Sequence, residues 1–252
     1  MRDELCRDMC RMIAVAGACK SLYTLLIQFQ KLSIHGNSLD GNGHRDGWGI
    51  GYYLPCPPSH AQVNHGTMES PFLVKRAECA FTSTEYEKTA QKASPAHTVL
   101  AHLRKASPGT PVTVQEVHPF QHHGMLFCHN GTIFSTPSHP LESDLDSIIL
   151  FRRILSHSLR KAIRFFWDHQ YTSLTCILTD GHTIWAYRDF SQDEQYYTLY
   201  YLTTAKSVVV CSEPLFPGSW KLLQNHELLT ISPDLHIESA LLSSKGPASS
   251  IP

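Results

Sequence analysis

The chain has 252 residues, 42% hydrophobic and 17% charged, with a formal net charge of -1. That balance suits a globular domain with a core of its own and excludes nucleic-acid or anionic-membrane binding driven by bulk charge. No apolar run reaches the ~20 residues of a spanning helix. The charged Met1–Met9 segment has no apolar stretch of signal-peptide length, so a cytoplasmic protein is expected.

In chain order, Met12 to Val15 reads as a short buried strand ending at Gly17. Ser21 to Leu32 carries apolar residues at helical spacing, with Ser21 as the expected cap. A Gly/Asn-rich loop, Gly36 to Gly47, leads into a strand from Trp48 to Leu54. Pro55 to Ser70 reads as a surface loop, Phe72 to Val74 as a strand and Thr84 to Ala93 as a helix. Thr98 to Leu103 is a buried strand, followed by a turn-rich loop through Pro119. Met125 to Cys128 is apolar and stops at His129-Asn130-Gly131, and Asp144 to Trp167 reads as one long helix. Strands are expected at Leu174–Leu178, Thr183–Tyr187, Tyr197–Leu202, Val208–Cys211 and Leu228–Ile231, with a disordered tail over 243–252. The pattern is one sheet-rich domain with a few helices covering the sheet faces.

Eight cysteines (6, 10, 19, 56, 79, 128, 176, 211) include no Cys-x-x-Cys pair and predict free thiols. His118, His122, His123 and His129 lack tight metal-ligand spacing, so neither a metal nor a cofactor is expected.

Four short motifs carry chemistry: Met9-Cys10-Arg11-Met12, Asp46-Gly47-Trp48-Gly49-Ile50-Gly51, Ala101-His102-Leu103-Arg104 and His129-Asn130-Gly131-Thr132. His118-Pro119-Phe120, Thr179-Asp180-Gly181 and Cys211-Ser212-Glu213-Pro214-Leu215 follow the same order. Together they resemble the class II glutamine amidotransferases of the N-terminal-nucleophile type, especially compact stand-alone members, over roughly residues 9 to 232. The resemblance implies an α+β fold, a four-layer αββα sandwich of two stacked, mainly antiparallel sheets, and hydrolysis of a γ-glutamyl amide through a cysteine thioester.

By that resemblance Cys10 is the nucleophile and the mature N-terminus. An N-terminal cysteine pairs a thiol of pKa ~8.5 with an α-amine of pKa ~8, so it carries its own general base. Residues 1–9 are then a leader or a misassigned start, and 10–242 are the amidotransferase domain. The Asn130 amide and the Gly131 N–H form the oxyanion hole; read alone, Asn130-Gly131 is a hairpin turn. Arg104 takes the substrate carboxylate with its fork. Asp144 takes the ammonium, with Asp146 as its rival. Gly47, Trp48 and His102 line the pocket, although Gly47-Trp48-Gly49 reads equally as a strand with a packed tryptophan.

Glutamine or a γ-glutamyl small molecule is the expected substrate, with a separate ammonia-accepting enzyme subunit as a possible partner. Two alternatives stand beside this reading. One is a γ-glutamyl peptide or conjugate hydrolase that ignores free glutamine; the other is an inactive scaffold that keeps the fold.

Overall fold

The computed structural model describes residues 9–38, 40–55, 70–106, 109–141 and 145–243. The expectations for residues 1–8, for most of the Pro55–Ser70 loop, for Asp144 and for the tail beyond 243 lie outside the described residues.

Two antiparallel sheets form the middle of the molecule. The first contains β1 (Arg11–Gly17), β2 (Gly47–Tyr53), β3 (Phe72–Arg76), β4 (Thr98–Arg104), β9 (Tyr200–Thr203), β10 (Ser207–Cys211) and β11 (Lys221–Leu222), in the order β11-β9-β10-β1-β4-β2-β3. The second contains β5 (Phe120–His122), β6 (Met125–Asn130), β7 (Thr175–Thr179), β8 (Ile184–Arg188), β12 (Glu227–Ile231) and β13 (Ile237–Leu241), in the order β13-β12-β8-β7-β6-β5. Helices α1 (Leu22–His35) and α2 (Thr84–Ala93) cover the first sheet, and α3 (Asp146–His157) and α4 (Leu159–Phe166) cover the second.

The period-2 alternation of β1 explains the layering. Ile13 and Val15 pack with Leu26 and Phe29 of α1, whereas Met12, Ala14 and Ala16 pack with Leu126, Cys128 and Ile177 of the other sheet. A third core joins Phe127, Cys176 and Tyr187 to Leu150, Ile154 and Ile163 of α3 and α4. Three apolar layers between four structural ones give the expected αββα sandwich. Six described cysteines, at 10, 19, 79, 128, 176 and 211, are free thiols.

The chain departs from expectation locally. The single helix expected over 144–167 is two helices, broken at Ser158, whose φ of 140° ends α3 while its hydroxyl accepts from Lys161 N to cap α4. The apolar spacing runs through the break because both helices pack on one core. Ser21 stands at the N-terminus of α1, but its side chain makes no capping bond.

Candidate active site

The alternation that layers the fold also assembles the site. Cys10 precedes Arg11 of β1 and so faces the second sheet with Met12. On β4, His102 and Arg104 share that face with Leu100; on β2, Gly47 and Gly49 share it with Tyr53; on β6, Asn130 shares it with Cys128. The register places Gly47 opposite Arg104 and Gly49 opposite His102. Cys10, Gly47, His102, Arg104 and Asn130 therefore converge between the sheets at one end of the sandwich. Trp48 turns the other way. Its indole packs in the helix-covered layer, edge-on to Tyr86 with ring centroids 5.1 Å apart. Only the backbone of that position faces the pocket side.

Cys10 is 6% exposed, and its Sγ lies 3.7 Å from the Lys105 carbonyl oxygen. Its backbone nitrogen donates to Asn130 Oδ1 at 2.7 Å. This bond fixes the amide orientation of Asn130, so Nδ2 is the free end. Nδ2 is buried and has no hydrogen-bond partner among the described residues. A buried donor left open in this way calls for an acceptor that arrives from outside. Gly131, with φ of 152°, turns the chain where a Cβ would meet the Ser173 carbonyl oxygen at 2.1 Å, so no side chain fits there. Two residues on, the chain is also tied down: Asp146 at the start of α3 accepts from Ile133 N at 2.7 Å and from Ser147 N at 2.7 Å. His129 points away from Cys10, held by Ser147 Oγ at 2.9 Å and the Ser173 carbonyl at 3.0 Å.

Arg104 is buried, and its fork is engaged from within the protein, by the Pro111 carbonyl at 3.1 Å and by Glu116 Oε2 at 3.2 Å. A carboxylate already sits on this guanidinium, so an incoming one must share or displace Glu116. Lys105 instead reaches the 36–46 loop, with Nζ 2.7 Å from both Asp40 carboxylate oxygens. That pairing holds the Asp40 carboxyl well below the usual carboxylate range. Asp46 fastens the same loop by accepting from Ala106 N at 2.8 Å.

Sequence reasoning missed a clamp behind Cys10. Arg11 is fully buried; it donates to the Cys10 carbonyl at 2.9 Å, to the Asn37 carbonyl and to Glu213. Glu213 also accepts from Asn37 N at 2.8 Å, and Ser212 exchanges 2.9 Å bonds with both Met12 backbone groups. The Cys-Ser-Glu-Pro-Leu motif was the one available signal. The separation of 202 positions between Arg11 and Glu213 hides the pairing itself.

His44, His102 and His118 are buried near this end, and no ring nitrogen of theirs has a partner in hydrogen-bonding geometry among the described residues. His102 and His118 stack with ring centroids 4.5 Å apart. Burial is the largest cause holding all three neutral, and for His102 the Arg104 charge adds to it and brings the pKa down to about 3. In the unfolded chain each returns to ~6.5. The unfolded state thus binds more protons below that pH, and stability is full above ~6.5 and lost as pH falls below it, for His102 toward about 3. Each histidine that stays neutral contributes a loss of about 2 kcal/mol between pH ~7.5 and ~5. Thermal melts across that window should show Tm falling by at least about 5 °C. A flat Tm would mean that these rings are already charged or exposed in the fold.

Among the described residues, no group of three His, Cys, Asp or Glu could hold a metal ion. No helix among them is long and apolar enough to cross a membrane.

A family model described as "Glutamine amidotransferases class-II" matches residues 9–157. An uncharacterised protein of Methanocaldococcus jannaschii, MJ1515, is 24% identical; the match covers 79% of this chain and 64% of that one. This chain thus spans less than two thirds of that relative's length. Two solved structures share the fold. A glutamine aminotransferase class-II domain protein from Silicibacter pomeroyi has a TM-score of 0.58 at 18% identity, covering 92% of this chain and 99% of its own. The glutamine phosphoribosylpyrophosphate amidotransferase of B. subtilis has a TM-score of 0.64 at 13% identity, covering 93% of this chain and 50% of its own.

Proposed function

The chain belongs to the class II glutamine amidotransferases, and from that premise we propose that it hydrolyses a γ-glutamyl amide through a thioester on Cys10. The observation that carries this reading is the Cys10–Asn130 pair. One end of the Asn130 amide holds the Cys10 nitrogen at 2.7 Å, and the other end is a buried donor with no partner among the described residues. In the reaction, residues 1–9 are absent and the Cys10 nitrogen is a free amine. The amine takes the thiol proton as Sγ attacks the γ-carbonyl carbon. The carbonyl oxygen becomes an oxyanion and is met by Asn130 Nδ2 and the Gly131 N–H. Collapse breaks the C–N bond, the leaving nitrogen takes the proton back, and ammonia or an amine departs. Water then attacks the thioester, releasing the γ-carboxylate and restoring the thiol.

The α-carboxylate falls to Arg104 and the α-ammonium to Asp144. Gly47, opposite Arg104, and His102, opposite Gly49, lie on the face shared with Cys10 and complete the floor of the site. If free glutamine is the donor, the ammonia goes to a separate enzyme; if a γ-glutamyl peptide is, the amine product is itself the outcome.

Initial rates on free glutamine and on a panel of γ-glutamyl peptides test this reading and select the substrate class. Turnover of at least one is expected, and no turnover of any would favour an inactive scaffold. The Arg104→Lys variant of the same protein should raise KM for the turned-over compound about 10- to 100-fold with kcat little changed, because a point charge replaces a bidentate fork. An unchanged KM would reduce Arg104 to an anchor for Glu116.

A further inference from the structure

A second pocket of about 290 Å³ lies away from Cys10, between α3, α4 and the Pro140–Leu141 segment. Leu141, Ile149, Phe165 and Phe166 supply its apolar walls, and Arg153 and His169 supply its buried polar atoms. The Arg153 guanidinium carbon lies over the Phe165 ring, 3.2 Å from its centroid, a cation–π contact that restrains the fork. Its Nε is buried and has no hydrogen-bond partner among the described residues. His169 is only 8% exposed, and its Nδ1 is likewise buried without one. Its ring sits among Phe165 and Phe166 at 4.9 Å and His139 at 4.7 Å. Burial, then the neighbouring His139, pushes the His169 pKa down, Arg153 adds to this, and the Phe165 carbonyl and Asp168 oppose it. Arg152 and His157 also line the pocket, and among the described residues no carboxylate does.

We propose that this pocket binds a small organic anion, with its charged group against Arg153 and His169 and its apolar body against Phe165 and Phe166. The open Nε of the Arg153 guanidinium and, in its Nδ1–H tautomer, the open Nδ1 of His169, both under aromatic walls, are what a carboxylate or phosphate on a ring-sized body would satisfy. The volume is near the lower end of small-molecule pockets, ~300 Å³, and limits the ligand to about that size.

Calorimetric titration of the full chain with phenyl phosphate, phenylacetate and benzyl alcohol tests the site. At least one of the two anions should saturate with Kd below about 1 mM, and which one does so names the head group. Benzyl alcohol, with the same ring and no charge, should not saturate. Arg153→Gln should weaken the anion at least about 10-fold, as expected for loss of a charge-assisted bond. Lys206→Gln, in the turn before β10 at the other end of the first sheet, should leave it unchanged. If Arg153→Gln lowers Tm, Leu141→Glu, which places a like charge at the pocket wall, should weaken the anion instead. Saturation by neither anion, equal binding of benzyl alcohol, or affinity unchanged in both pocket variants would overturn the proposal.

Discussion

Replacing Cys10 with alanine is expected to lower kcat for the γ-glutamyl substrate by about 10⁴-fold or more, with the fold retained. The magnitude is that of losing the nucleophile of a covalent mechanism, where no neighbouring group can substitute for the attacking atom. Stability should change little. Cys10 lies at the mouth of β1 outside the three apolar clusters, and its structural bond to Asn130 runs from the backbone nitrogen, which alanine keeps. Stopped assays with a melting curve on the same sample check both parts. Activity within tenfold of the parent would remove Cys10 from the chemistry, and a collapsed Tm would assign it to packing.

The second large effect is at Asn130, and two variants separate its two ends. Asn130→Asp keeps an acceptor for the Cys10 nitrogen but has no amide donor for the oxyanion. Loss of one such donor costs about 100- to 1000-fold in kcat, with KM nearly unchanged, because the charge it meets exists only in the tetrahedral state. A carboxylate placed against a developing oxyanion makes the loss at least that large. Asn130→Ala removes both ends, so it also frees the Cys10 nitrogen from its 2.7 Å contact and should add a loss of its own. Steady-state kcat and KM for the two variants decide the matter. A rise in KM at constant kcat in Asn130→Asp would place the side chain in ground-state binding instead.

Much of this arrangement was legible in the chain because the strand period is 2. Once β1, β2, β4 and β6 are recognised as strands, Cys10, Gly47, His102, Arg104 and Asn130 fall on faces that can meet. The same parity puts Trp48 on the opposite face, so of the two readings of Gly47-Trp48-Gly49 the strand with a packed tryptophan holds for this side chain. Helix α2 runs over the expected Thr84–Ala93, and the Ser83 side chain just before it accepts from Tyr86 N. The break at Ser158 was hidden because Leu155, Leu159 and Ile163 keep helical spacing across it. Strands β5 and β11 are too short, at three and two residues, to show any period. Strand β13 is an edge strand with largely exposed side chains, so no apolar alternation marks it. The long-range contacts were the least accessible. Glu116 on Arg104 and Glu213 on Arg11 depend on how loops return to a strand end, and no local signature names either partner.

The claim on which the mechanism turns is that one residue supplies both the attacking sulfur and the proton-accepting nitrogen. Intact-mass and peptide mass spectrometry of active protein, trapped with an electrophilic glutamine analogue, measures this directly. The account predicts a single adduct on Cys10 in a chain that starts at that residue. Full activity in protein whose Cys10 nitrogen is still joined to Met9 by a peptide bond would contradict it.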